Sequence, residues 1–274
     1  EVFADEWLPM AALHYRWNIP ENKTFALSEF AASGVPWLPR FLSRPLVRPM
    51  ADKMQSYLPL LGVTPATQPG VQQTVQTVLS CLEAQLQLTR FVLGDRPCIG
   101  DFALFGPLWA HLYRDPGSRD LFEPYPAVVR WMDHLRTQPT ASGDFLPDDQ
   151  VPAYLHPLFA CILTDQWAWI STLESAIHDY CTAHPEATRV PRALGEADFV
   201  LRGITGRRKL VTFVQWKAQR ARQAYIRAQG AADAWLTDVL GLPSGTDVSH
   251  RITDIRHPLV MAGFKPVLAT DTQP

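Results

Sequence analysis

The sequence predicts a mainly α-helical fold with a small α+β extension at its C-terminal end. Three observations carry that expectation. Apolar residues recur at three- and four-residue spacing through most of the chain up to about residue 183. A strongly apolar stretch at residues 99–113 opens on a helix-start signal. Past residue 190 the pattern changes to two short β-rich runs with glycines between them, then a basic helical stretch.

The elements follow in order. Residues 1–18 read as one helix with a stripe of Trp7, Met10, His14 and Trp17, widened by Leu8, Ala11, Ala12 and Tyr15. Asp5 and Glu6 sit near its positive end and Pro20 stops it. Such a stripe serves either as core or as a pocket wall. Prolines punctuate residues 19–68, leaving short helices expected near 25–33 and 48–60. Arg40, Arg44 and Arg48 recur every four residues, as a basic patch or as a solvated face. A long amphipathic helix over 70–92 is traced by Val71, Val75, Val78, Leu82 and Leu86. Gly94-Asp95 breaks it.

In the stretch that follows, Cys98 takes the N-cap position and Asp101 lies three residues on, where a carboxylate meets free backbone N–H groups. Phe102, Ala103, Leu104, Phe105, Leu108, Trp109, Ala110 and Leu112 then make a helix apolar nearly all round, which is expected to lie among other helices. Gly100 and Gly106 are expected to admit close neighbours. Residues 125–138 form the next helix, with Val128, Trp131, Met132 and Leu135 inward. The Gly/Pro/Asp-rich stretch 141–151 is the best linker, which divides the chain into 1–140 and 141–274. The second part should hold a long helix at 152–183 and strands at 197–201 and 209–214, joined by Gly203–Gly206. A basic helix at 215–229, a shorter helix at 231–240 and one or two strands within 250–268 complete it.

Composition narrows the function classes. At 47% hydrophobic and 19% charged residues the chain can bury a sizeable core and is not disordered. A formal net charge of -2 gives no global attraction to nucleic acid or to a membrane surface. No apolar run is long enough to span a bilayer, and no signal-peptide pattern is present. Cys81, Cys98, Cys161 and Cys181 are widely spaced, as buried free thiols in a reducing, cytoplasmic setting would be.

The run Gly94-Asp95-Arg96-Pro97, then Ile99-Gly100-Asp101-Phe102, closely resembles the capping-box segment of the glutathione transferase C-terminal domain. In that family Ser or Thr usually occupies the place of Cys98. A thiol accepts weakly, so this cap should be weaker by something within about 0.5–2 kcal/mol. The continuation Trp109–Pro116 is similar to the proteobacterial branch, and the tail resembles the C-terminal extension of certain bacterial members. The resemblance covers roughly residues 1–140.

The resemblance implies an all-helical second domain that contributes the hydrophobic-substrate side of a site joining glutathione to electrophiles. Trp7, Met10, His14, Tyr15, Trp109 and Tyr113 are the residues it points to for that side, with Cys98 and Asp101 as the structural cap. Glutathione enters as co-substrate, no metal is implied, and a homodimer follows by resemblance. In this family the groups that activate the thiol and hold glutathione come from a preceding thioredoxin-like domain. The chain opens on Glu1 within a helical pattern and without Met, so it is expected to be processed or part of a longer protein. No catalytic residue is assigned, and residues 1–274 alone are not expected to conjugate.

The second reading is a non-catalytic interaction module. Between Phe199 and Ala232 there is no Asp or Glu, while Arg202, Arg207, Arg208, Lys209, Lys217, Arg220, Arg222 and Arg227 alternate with Phe213, Trp216 and Tyr225. Such a stretch suits a polyanion, or pairs with acids elsewhere in the fold; nucleic acid is not the expected partner. His178, Cys181 and His184 share a helix side but have no fourth ligand at suitable spacing. Phosphate-loop, zinc-protease and nucleophile-elbow motifs are all missing from the sequence.

Overall fold

The computed structural model describes residues 1–137, 142–228, 230–248, 252 and 254–269. Its contacts divide the chain into two units, Phe3–Leu155 and His156 onward. The expected boundary at 140/141 and the first residue of the expected linker lie outside the described residues.

The first unit is helical. The expected helix over 1–18 is two, α1 (Val2–Glu6) and α2 (Pro9–Asn18). Pro9 has no N–H to continue the ladder, but its fixed φ suits the first position of a new helix. Pro20 acts twice: it stops α2, and after one extended residue, Ile19, it opens α3 (Pro20–Gly34). The fourth helix also differs from expectation. It is α4 (Arg40–Gln55) and runs through Pro45 and Pro49. Both prolines sit on its exposed side, where water can satisfy the carbonyl groups they leave unpaired. Ser43, Val47 and Ala51, four apart, form the buried edge of α4, and it packs on α3. Phe41, Leu42, Leu46 and Met50 stay exposed. Arg48 reaches Asp52 at 3.8 Å in the open, Arg44 donates to the buried Ser28 Oγ at 2.5 Å, and the Arg40 side chain lies outside the described residues.

The long helix α5 (Gln68–Leu86) ends six residues earlier than periodicity suggested. The N–H groups beyond it find other partners. Phe91 N donates to Gly94 O at 2.8 Å and Val92 N to Asp101 Oδ1 at 2.9 Å. Phe91 and Val92 are buried although their backbone has left the helix. Gly94 then crosses the loop at 142–146: Asp95 N donates to Asp144 O and Leu146 N to Leu93 O, both at 2.9 Å. The φ of Gly94 is +129°, and a Cβ there would stand 2.7 Å from Asp144 O, so only glycine fits.

Helix α6 (Ile99–Pro107) gives way to a π-helical turn at 108–113. Pro107 explains the change, because it removes an N–H and crowds the preceding turn. Helix α7 (Pro126–Thr137) packs on α5. Glu83 of α5, nearly buried, caps it: its Oε2 accepts from Ala127 N at 2.8 Å and Val128 N at 3.1 Å.

The second unit opens with α8 (His156–Cys161), a π-helical turn at 162–166 and α9 (Trp167–Ala183), in place of one regular helix. The widened turn carries Asp165, whose buried carboxylate accepts Arg202 N at 3.0 Å. Strands β1 (Ala193–Leu201) and β2 (Ile204–Val211) pair antiparallel. Their turn is tighter than expected, two residues with Arg202 at φ 52° and Gly203 at φ 81°. Gly206 belongs to β2, opposite Phe199, which is why glycine spacing misplaced the turn. Helices α10 (Phe213–Ala228) and α11 (Gly230–Val239) follow, then the hairpin β3 (Leu259–Ala262) and β4 (Lys265–Leu268). Glu174 of α9, 2% exposed, anchors the segment before β3 by accepting Arg256 Nε at 3.1 Å and Nη2 at 2.6 Å.

Candidate functional site

The capping box of α6 closes in both directions. Asp101 Oδ2 accepts Cys98 N at 2.9 Å, and the Cys98 sulfur faces the Asp101 backbone N–H. Burial first, then the neighbouring Asp101 carboxylate, pushes the Cys98 thiol up to about 11, so it stays protonated at neutral pH. Asp101 does more than cap. Its Oδ1 also accepts Val92 N and the indole Nε1 of Trp131, each at 2.9 Å, and the residue is 0% exposed. One carboxylate therefore joins the turn after α5, the start of α6 and the middle of α7.

The expectation that α6 is buried all round is wrong. Asp101, Leu104, Leu108 and Leu112 make the inward face. Ile99 and Phe102 are exposed, Phe102 by 49%, and Phe105, Trp109 and Tyr113 are half-buried. Neither glycine admits a neighbouring element: a Cβ at Gly106 would meet nothing within 4 Å, and one at Gly100 only the Cys98 sulfur at 3.3 Å. Small residues and continuous apolarity do not tell which side of a helix a neighbour covers. The outer face is aromatic and ordered, with Phe105 and Trp109 stacked at 5.6 Å and 12°.

Helix α2 packs against the 108–113 turn. The joint is ionic: Arg16 Nε and Nη2 donate to the fully buried Asp115 carboxylate, both at 2.8 Å, and Nη2 also reaches Ala110 O. Beside it, fully buried Asn22 donates to Tyr15 O and Ser118 Oγ at 3.0 Å and accepts from Gly117 N at 2.6 Å. A side chain at Gly117 would press on Ile19 at 3.0 Å and on Asn22 and Glu21 at 3.1 Å. Arg114 pairs with Glu29 and lies over the Phe25 ring at 5.5 Å. His111 is enclosed beside this joint. Burial, with the Arg16 charge second, lowers it to about 4, and its Nδ1 has no protein partner among the described residues. These polar residues escaped sequence reading because their partners lie far along the chain.

The six candidate residues fall into two groups. Trp7, Met10, His14 and Tyr15 lie inside the unit, between 1% and 6% exposed. His14 contacts Asn18 Nδ2 at 3.1 Å and stands edge-on to Tyr15; burial lowers the imidazole and raises the phenol. Trp109 and Tyr113 are half-open on the adjoining turn, Tyr113 edge-on to Phe122 and under Arg119. A separate cleft of about 590 Å3 opens at Trp17, Lys23, Gln55 and Leu58, and none of the six lines it.

The capped helix and its buried aspartate lie at the joint of several helices of an all-helical unit. Residues 64–134 match the family model described as glutathione S-transferase, C-terminal domain, and this region of the chain belongs to that family. Among curated proteins and among solved structures, no match to the chain is found.

The other sequence candidates are engaged elsewhere. His178 Nδ1 meets His257 Nε2 at 3.0 Å, His184 stacks on Tyr180 at 4.4 Å, and Cys181 is buried, so the three do not converge. Among the described residues no group of three ligand types stands where it could hold a metal. In the basic stretch Arg207 pairs with Asp198 and Glu196, Arg222 with Asp254, and Arg208 is buried over Trp169. Acids of the same unit meet these cations, which takes support from the polyanion reading. Among the described residues no helix is long and apolar enough to cross a membrane.

Proposed function

We propose that this chain contributes the hydrophobic-substrate side of a glutathione-conjugating site, paired with a thioredoxin-like domain that binds glutathione. The family match over residues 64–134 supports this reading. The observation that carries it is the open aromatic face of α6 and its π turn: Phe102, Phe105, Trp109 and Tyr113. A water-facing aromatic wall on a helix pinned from behind by Asp101 suits flat, apolar electrophiles. Trp7, Met10, His14 and Tyr15 lie buried in and just before α2, the helix that packs against the turn carrying Trp109 and Tyr113. His14, neutral through burial, adds no charge to it. The thiolate nucleophile and its activating group belong to the glutathione side, so this chain's part is to bind and orient the acceptor. Self-association to a homodimer and a cytoplasmic setting belong to the same proposal.

The test compares the full gene product with residues 1–274 alone, using glutathione and chlorodinitrobenzene. Conjugation by the full product and none by residues 1–274 is the expected result. A full product without glutathione binding would end the proposal.

A further inference from the structure

The second unit holds a cavity of about 830 Å3 that the conjugation reading does not use. Its walls come from four places: Tyr180 near the end of α9, Arg189–Arg192 leading into β1, Val211–Phe213 where β2 turns into α10, and Phe264–Pro266 at the β3–β4 turn. The joints between them are fixed. Thr212 Oγ1 donates to Pro191 O at 2.7 Å and Thr212 N to Arg192 O at 3.2 Å, and Leu268 N donates to Thr188 O at 3.0 Å.

The lining has one sign of charge. Arg189, Arg192 and Lys265 are cationic, and among the described residues none of those lining the cavity is acidic. Among the described residues none bonds or pairs with these three side chains, unlike the cations of the neighbouring basic stretch. The first turn of the sixteen-residue α10 adds its positive end at Phe213. Three aromatic rings share the lining: Tyr180, with one face stacked on His184, half-exposed Phe213, with the Lys217 ammonium 5.5 Å from its ring centre, and Phe264, which projects fully into solvent beside the cavity. A bare phosphate would use the charges and leave the rings idle. A neutral hydrocarbon would use the rings and leave three cations beside it.

We propose that this cavity binds an organic anion with an aromatic or branched apolar body. Its carboxylate or sulfonate lies among Arg189, Arg192 and Lys265, and its hydrocarbon part lies between Tyr180, Phe213 and Phe264. The volume falls within the range that encloses a small ligand. The site is independent of glutathione and of the first unit.

The test is isothermal titration of the 274-residue chain with naphthylacetate and with naphthylacetamide, which has the same rings and no charge. Naphthylacetate should bind at least about tenfold more tightly than the amide and weaken with added salt, since a paired charge separates the two. The double variant Arg189→Ala/Arg192→Ala should lose about tenfold. Phe264→Ala, at a fully exposed position that folding does not need, should weaken acid and amide alike. Trp37→Ala/Phe41→Ala, in the exposed apolar region of the first unit, should leave binding unchanged. Equal affinity for acid and amide, undiminished binding in the arginine variant, or loss in the Trp37/Phe41 control would overturn the proposal. So would the absence of heat with millimolar naphthylacetate.

Discussion

The indole of Trp131 donates to Asp101 Oδ1 at 2.9 Å, across thirty residues of chain. The same oxygen takes Val92 N, and the other oxygen takes Cys98 N. Replacing Asp101 with Asn keeps the shape and turns one acceptor into a donor aimed at donors. We expect Asp101→Asn to cost about 3 kcal/mol, the scale for buried bonds to a charged acceptor. Urea unfolding of the variant measures it, and a loss under about 1 kcal/mol would mean the knot is not structural.

Cys98 supplies a weak cap. Serine has nearly the same shape and accepts far better. Cys98→Ser should stabilise the protein by about 0.5–1 kcal/mol, read as a higher denaturation midpoint with an unchanged slope.

Asp115 is wholly buried against Arg16. Removing one partner strands the other charge away from water. Asp115→Asn should therefore cost about 3 kcal/mol. The double variant Arg16→Met/Asp115→Leu should cost less than the two single changes summed, because neither charge is left behind.

His111 links stability to acid. Its ordinary value of 6.5 falls to about 4 in the fold, so the unfolded chain takes up the proton first. Its contribution is fully present above pH 6.5 and is lost as pH falls through about 4. Buried His14, shifted the same way, adds to the slope. His111→Asn should flatten the stability profile over that window. An unchanged profile would show that other groups set it.

Much of the fold was legible. Periodicity placed α7, α10 and α11 closely and found the end of α9, but it ran α5 past Leu86 and missed the break before Trp167; the Cys98–Asp101 spacing announced the capping box. Proline was read too simply, as a stop alone: Pro9 and Pro20 also start helices, Pro45 and Pro49 sit inside one, and Pro107 converts a helix to a wider turn. Burial of α6 was misjudged because an apolar sequence records that a surface avoids water and not what covers it. Of the candidate site, Trp109 and Tyr113 came only through the family resemblance, and the openness of Phe102 and Phe105 beside them was not foreseen. The Arg16–Asp115 pair, the Asn22 knot and the cavity at Arg189 and Lys265 could not, since each joins residues that only the fold brings together.

The open aromatic wall is the centre of the functional account, and Trp109 stands on it, stacked on Phe105. The most direct measurement is steady-state kinetics of the full gene product with Trp109→Ala, varying chlorodinitrobenzene and glutathione separately. The account predicts a KM for the electrophile raised by about tenfold, the scale of a lost aromatic contact, with the KM for glutathione unchanged. Equal effects on both substrates, or none on the electrophile, would contradict it.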